Sequence, residues 1–362
     1  MAIPVLLGER SYTIAVTDSY RHLPGWLAPL ELPPHGWVIS HRSLLARHGK
    51  SLLGPLRRAG WRLETLAVPE SESSKSFAMV QRLIADLSRR AAMRTPTLFA
   101  FGGGVIGDLT GFVAAVFRRG VPYVQVPTTL LAQVDSAIGG KVGVDLPQAK
   151  NLVGAFYQPR FVCSNVALLG TLPRRQRQSG LAEVIKYGVI GDRVLFDFLE
   201  EHLSACLSLE TRAVRVMVER SSRIKARIVA RDEQETKNIR AQLNFGHTLG
   251  HALEAATHYR RWTHGEAIAI GMCAAADLGV EMGLLGRADH RRITSLIQAA
   301  GLPTHARGLS RRAVLRAVRF DKKFIHGRPR WILPTGIGRV VVTEAVSAAA
   351  VNRVLARYVG AG

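Results

Sequence analysis

The sequence predicts an α/β N-terminal domain built on a doubly wound, mainly parallel sheet, followed by a mainly α-helical C-terminal domain. Three observations carry this. Short apolar runs alternate with amphipathic stretches through the first half, the rhythm of βαβ units. That alternation stops near Pro173, beyond which long helix-period patterns follow one another with little strand signal. And 362 residues are too many for one core, so two domains are expected, 1–172 and 173–362.

In chain order, residues 37–40 (WVIS) and 61–68 (WRLETLAV) read as strands. Residues 77–92 carry Phe77, Val80, Leu83, Ile84 and Leu87 at helical spacing. A short buried strand at 97–101 runs into Gly102-Gly103-Gly104, and Val105, Ile106, Leu109, Phe112, Val113 and Val116 continue as a helix. Residues 123–126 form another strand, closed by Pro127-Thr128-Thr129, and 126–157 read as a glycine-rich loop. In the second half, 178–201, 211–231, 243–258 and 266–284 read as long helices, and only 330–333 and 340–343 look extended.

Composition narrows the function. Hydrophobic residues make up 47% and charged residues 21%, which excludes a disordered chain. No apolar run reaches the roughly 18–20 residues that span a bilayer, so no membrane role is expected. The opening residues lack the basic, apolar, small-residue order of a signal peptide. Cys163, Cys206 and Cys273 are odd in number and far apart, which fits a reducing cytoplasm. The 49 Lys+Arg against 27 Asp+Glu give a net charge of +22. These cations are scattered as pairs such as Arg57-Arg58 and Arg311-Arg312, without a basic block, so the expectation is an anionic small substrate and no nucleic acid.

Three stretches can do chemistry. The strand–GGG–helix junction at 101–108 suits a phosphate: glycines let backbone approach it, and a helix start offers free N–H groups. It is not in the first βα turn, so a dinucleotide site here is of a non-standard kind. The run 126–157 holds Asp135, Lys141, Lys150 and Asn151 among glycines, a set suited to phosphate or carboxylate. In 243–258 (LNFGHTLGHALEAATH), His247, His251, Glu254 and His258 fall on one helical face, with His264 just beyond and Glu183 opening another helix. Four of the 12 histidines lie between 247 and 264, which points to a metal; spacing leaves open which are ligands.

At these residues the chain resembles a known family. GGGVIGDLTGFVAAVFRRG (102–120), VPTTLLAQVDSAIGGKVGVD (126–145), KNLVGAFYQP (150–159), GLAEVIKYG (180–188), LNFGHTLGHALEA (243–255) and HGEAIAIGM (264–272) resemble the 3-dehydroquinate synthases, within the sugar phosphate cyclase superfamily. The resemblance implies a shikimate-pathway lyase, a cytoplasmic homodimer with its active site in the cleft between the domains. It would convert 3-deoxy-D-arabino-heptulosonate 7-phosphate to 3-dehydroquinate and phosphate, using NAD catalytically and a divalent metal, Zn2+ or Co2+. It implies metal ligands Glu183, His247 and His264, with His251 moved to substrate binding or proton relay. Arg119, Lys141, Asn151, Lys186, Lys225, Arg240, Asn244 and one of Lys322 and Lys323 would hold the substrate, with Asp135 near the nicotinamide. Glu72, Lys75, Gly103, Gly104, Val105, Asp108, Thr128, Thr129 and Lys150 would contact NAD.

Three departures accompany the match. His41 stands where the family often has a carboxylate or amide, one extra residue separates Asp232-Glu233 from Arg240, and Ala137 replaces a common serine. The alternatives are a related cyclase of secondary metabolism and a metal- and NAD-dependent polyol dehydrogenase.

Overall fold

Along Thr97–Gly102 every residue is buried, yet the side chains part to two faces: Leu98 and Ala100 pack on one side, Phe99 and Phe101 on the other. Only a strand covered on both faces shows this pattern, and it sets the architecture. The computed structural model describes residues 2–90, 95–146, 149–320 and 330–360. Contacts divide the chain into two units, Met1–Leu172 with Lys225–Gln234, and Pro173–Ile224 with Glu235–Gly362.

The first unit holds a seven-stranded sheet. From edge to edge its strands are Ala2–Val5, Tyr12–Thr17, Phe161–Asn165, Tyr123–Pro127, Thr97–Gly102, His35–His41 and Arg62–Val68. All neighbours pair parallel except the first two. One face is covered by Val80, Leu83 and Leu87 of helix Phe77–Arg90 and by Ile106, Leu109 and Val113 of helix Gly104–Val116. The other takes Leu52 and Leu56 of helix Arg42–Arg58 with Leu23 and Leu27. Strand order reverses between His35–His41 and Thr97–Gly102, which have successive strands on opposite sides; ligands of open α/β sheets bind at the carboxyl ends of such a pair.

The second unit is helical, with one antiparallel pair, Trp331–Gly336 and Arg339–Thr343, where the sequence reads extended. Its helices include Arg174–Gly191, Arg193–Glu201, His247–Ala256, His264–Glu281, Arg287–Ala299 and Ala348–Tyr358. The helix Thr211–Arg231 begins here, and from Lys225 it counts with the first unit.

Several local expectations are corrected. Residues 178–201 are two helices, because Asp192 caps the second by accepting from the Leu195 amide at 3.1 Å while the apolar spacing runs on unbroken. The helix at 243–258 starts only at His247, after a 3-10 turn Arg240–Asn244. It ends at Ala256; His258 follows in a left-handed conformation and leaves the shared face. The loop expected at 126–157 contains a π-helical turn, Ala132–Ser136, and a hairpin of Lys141–Leu146 with Ala149–Phe156. Its glycines mislead because Gly143 and Gly154 pair across the hairpin, where backbones lie too close for side chains. The strands Ala2–Val5, Tyr12–Thr17 and Phe161–Asn165 and the helix Arg42–Arg58 carry patterns too short or too basic to stand out. The helix expected over 77–92 is seen as Phe77–Arg90; 91–92 lie outside the described residues.

Two glycines let the second unit's helices meet backbone to backbone. A Cβ on Gly265 would lie 2.1 Å from the Ser179 carbonyl oxygen, and one on Gly271 would lie 1.9 Å from that of Gly246. His264–Glu281 therefore sits against both Arg174–Gly191 and the start of His247–Ala256 at a separation only glycine permits. We expect Gly271→Ala to destabilise the protein by about 3 kcal/mol, the upper end of overpacking costs, read as a lower urea midpoint by circular dichroism. An unchanged midpoint would mean the contact is not as tight as described.

Candidate functional site

The helix Arg174–Gly191 buries every residue from Ser179 to Ile190, Glu183 among them at 0% exposure. A carboxylate taken from water must be paired. Lys186, one turn on, forms an ion pair with it. On the other side His247 Nε2 stands 3.5 Å and His264 Nε2 3.4 Å from the same oxygen, Glu183 Oε1. The second nitrogen of each ring is engaged as well. His247 Nδ1 lies 3.0 Å from the Phe245 carbonyl oxygen, and His264 Nδ1 lies 3.3 Å from Glu254 Oε2. A carbonyl or carboxylate can only accept, so each Nδ1 carries a proton, which leaves Nε2, on the Glu183 side, as the nitrogen available to a cation.

That donor set fits a divalent cation taking mixed imidazole and carboxylate ligands. One ligand atom from each of Glu183, His247 and His264 lies within 4.8 Å of the others. Burial works against a charged His264 ring, but hydrogen bonds to Glu183 and Glu254 and their charges outweigh it and hold its pKa up at about 10. The helix carrying His264 starts on a capping box: Thr263 Oγ1 accepts from the Glu266 amide, and the Glu266 carboxylate accepts from the Thr263 amide. Arg175 grips that carboxylate with two donors, each at 2.7 Å, and donates to the Arg261 carbonyl at 2.9 Å. His251, half-buried one turn after His247, faces both other rings, at centroid distances of 5.2 and 6.0 Å.

In the first unit the GGG turn sits at the carboxyl end of Thr97–Gly102, beside the point where strand order reverses. The helix Gly104–Val116 has Gly103 as its cap, with no side-chain cap bond among the described residues. A Cβ on Gly103 would come 3.1 Å from Thr129 Cγ2, and one on Gly104 would come 3.2 Å from Ser136 Oγ. This narrow cradle of unblocked amides fits a pyrophosphate. Beside it Lys75, 6% exposed, bonds Asp108 at 2.6 Å and also Asn151. Burial opposes the Lys75 charge, and Asp108, Asp145 and Glu72 more than offset it, so its pKa lies above the ordinary value. Lys150 pairs with Glu72 at 2.8 Å. Lys225 is buried, donating to the Asp135 carboxylate at 2.8 Å and its backbone carbonyl at 2.7 Å.

Other expected residues stand as follows. Arg240 is 2% exposed, with Nε 3.5 Å from Glu235 Oε1, so despite the extra residue in 232–240 it keeps an acidic neighbour. Asn244 is half-buried in the 3-10 turn before His247. Lys141 is exposed at the start of the hairpin, and Arg119 is exposed with φ 63° after the helix Gly104–Val116. Thr128 is buried, its amide bonded to the Gly102 carbonyl at 2.9 Å, and Val105 lies in the first turn of the helix after the glycines. His41 Nδ1 lies 3.1 Å from the Val68 carbonyl oxygen. Lys322 and Lys323 lie outside the described residues. The sequence reading passed over Asp145, which accepts from the Asn151 amide at 2.7 Å and lies 4.0 Å from Lys75 Nζ. Its signal was an acid inside a strand of small and apolar residues.

Comparison with known proteins gives two family matches in chain order. Residues 65–179 match the family described as 3-dehydroquinate synthase N-terminal, and residues 180–324 match 3-dehydroquinate synthase C-terminal. A 3-dehydroquinate synthase from Picosynechococcus sp. is 44% identical over 356 residues, 97% of each chain. Among solved structures, 2-epi-5-epi-valiolone synthase from Streptomyces hygroscopicus subsp. jinggangensis, with NAD+ and Zn2+ bound, has a TM-score of 0.88 at 26% identity, covering 98% of both chains. A 2-deoxy-scyllo-inosose synthase has a TM-score of 0.87 at 24% identity over 99% of this chain and 100% of its own, a likeness of fold.

Lys75→Met should take from Asp108 its bonded ammonium, leaving only the charge of Lys225 to act on it, and cost about 2–3 kcal/mol, below the figure for a fully buried pair because Asp108 keeps some water. Adding Asp108→Asn should recover part of that loss in urea unfolding. Additive losses would show that the pair does not couple.

Proposed function

The chain belongs to the 3-dehydroquinate synthase family, and we propose that it converts 3-deoxy-D-arabino-heptulosonate 7-phosphate into 3-dehydroquinate and phosphate. The observation that carries the reading is the convergence of Glu183, His247 and His264 on one point within a chain 44% identical, end to end, to a 3-dehydroquinate synthase. The reaction ends with no net oxidation and with a carbon–oxygen bond to phosphate broken, which makes the enzyme a phosphorus–oxygen lyase.

NAD and a divalent cation, zinc or cobalt, are its cofactors, as the NAD+- and Zn2+-bound valiolone synthase supports. When bound, NAD+ would supply a reversible hydride acceptor and the cation would supply polarisation of the oxygen at the carbon being oxidised.

The rest falls to this chain's own side chains. Glu183, His247 and His264 hold the cation. Lys186, tied to Glu183, keeps a positive charge beside that carboxylate. In the domain 173–362, Arg240, Asn244 and His251 receive the substrate's anionic groups and hydroxyls, with His251 placed to move a proton. In the domain 1–172, Gly103, Gly104, Val105, Asp108, Thr128 and Thr129 form the NAD cradle, with Lys75 and the Glu72–Lys150 pair at its side. Lys225, its ammonium set by Asp135, joins Arg119, Lys141 and Asn151 in binding phosphate and carboxylate. Because the departing phosphate can take the proton lost in the elimination, no separate base is required of the protein.

The same reading makes the enzyme a cytoplasmic homodimer, which sedimentation of the purified protein tests. All three cysteines are buried thiols, and no helix among the described residues is long and apolar enough to cross a membrane. The related-cyclase alternative has less support, since the valiolone synthase shares 26% identity against 44% for the 3-dehydroquinate synthase.

Incubating metal-loaded enzyme with the heptulosonate phosphate and substoichiometric NAD+ should release phosphate many times over with no build-up of NADH. NADH formed mole for mole would instead make it a polyol dehydrogenase. Lys141→Ala should lower kcat/KM for that substrate about ten- to hundredfold, the loss of one charge-assisted contact; wild-type kinetics would remove Lys141 from the substrate site.

A further inference from the structure

We propose that Glu254 is a positioning residue for the metal centre, acting through His264 and binding no metal itself. The inference rests on Glu183, His247 and His264 being the ligands. It starts from an asymmetry between the two rings. His247 has its Nδ1 against a backbone carbonyl, Phe245 O at 3.0 Å, whereas His264 has its Nδ1 against a carboxylate, Glu254 Oε2 at 3.3 Å.

A carbonyl and a carboxylate do the same steric work: each fixes the ring plane and keeps the proton on Nδ1, so that Nε2 faces Glu183. They differ electrostatically. An anion on the Nδ1 proton makes the imidazole a stronger donor through Nε2, which a neutral carbonyl does to a smaller degree. His264 also needs the fixing more. Both rings sit at the first position of their helices, but the His264 side chain is 30% exposed against 10% for His247, so packing holds it less. Glu254 is well placed to supply it. It is 8% exposed, on the same helix as His247 and two turns along, so one rigid element carries both a ligand and the group that orients another.

A competing assignment is visible in the same atoms. His251, Glu254 and His264 also have ligand atoms within 4.8 Å of one another. A second cation there would have to take His264 Nδ1, the nitrogen that carries the proton in the arrangement described, while Nε2 serves the first. Under the proposed role Nδ1 keeps its proton and the protein binds a single cation.

The test titrates metal-free protein with Zn2+ against a chelating indicator and records the visible spectrum of the Co2+-loaded protein. Glu254→Ala should weaken Zn2+ binding about 10–100-fold and shift the Co2+ bands. Glu254→Gln, which keeps an oxygen to accept from Nδ1 but loses the charge, should fall between it and wild type. The isosteric Gln variant also covers the case in which the Ala variant fails to fold. Wild-type affinity and an unshifted Co2+ spectrum in a folded Glu254 variant would overturn the proposal, as would two Zn2+ per chain with one lost on replacing Glu254. His247→Ala separates the two levels: if it keeps its metal, the ligand reading itself is wrong, and if it loses metal while the Glu254 variants do not, only the role of Glu254 falls.

Discussion

A single buried carboxylate organises the second half of this protein. Glu183 has no access to water, and such a charge is tolerable only where opposite charge or polar donors surround it. Lys186 supplies a charge from the next turn of the same helix, and two imidazoles supply nitrogens from two other helices. The glycine contacts at 265 and 271 follow from this requirement. Three helices must come close enough for side chains as short as Glu and His to meet, and helices with ordinary side chains at those crossings would stand too far apart.

The first unit meets a different demand with a different device. Phosphates need many weak donors, not one strong charge, and a helix start entered through glycines presents amides without a side chain in the way. The cations nearby are individually tethered: Lys75 to Asp108 and Asn151, Lys150 to Glu72, Lys225 to Asp135. A tethered ammonium loses little further freedom when an anion arrives, so it arrives preorganised. The +22 charge of the chain is a poor guide to these sites, since its many exposed arginines are spread over the surface as pairs.

How much of this could be read without coordinates depends on the kind of signal. The parallel sheet was legible because strands buried on both faces are nearly all apolar, and 97–101 and 123–126 show that plainly. The first two strands, Ala2–Val5 at the sheet edge and Tyr12–Thr17 beside it, were not, being short. The hairpin after Lys141 was hidden by glycines at positions where two backbones press together, the same residues that ordinarily mark loops. A break such as Asp192 is invisible to periodicity because the apolar face continues across it.

The sequence by itself determined the residue types and their local order: histidines one helical turn apart, glycines between a strand and a helix, and an acid on a separate helix, which Glu183 does not open as expected but occupies at the middle of Arg174–Gly191. These follow from spacings of a few residues, which helix and strand geometry convert directly into faces and ends. Only the tertiary structure decided which of them meet. Spacing put His251 and His258 on equal terms with His247, yet the helix stops before His258, and the second ring opposite Glu183, beside that of His247, comes from His264 at the head of another helix. Those choices depend on packing between segments dozens of residues apart, through contacts such as Gly265 on Ser179, and spacing encodes no distance of that kind; the family resemblance named the same three residues without their geometry.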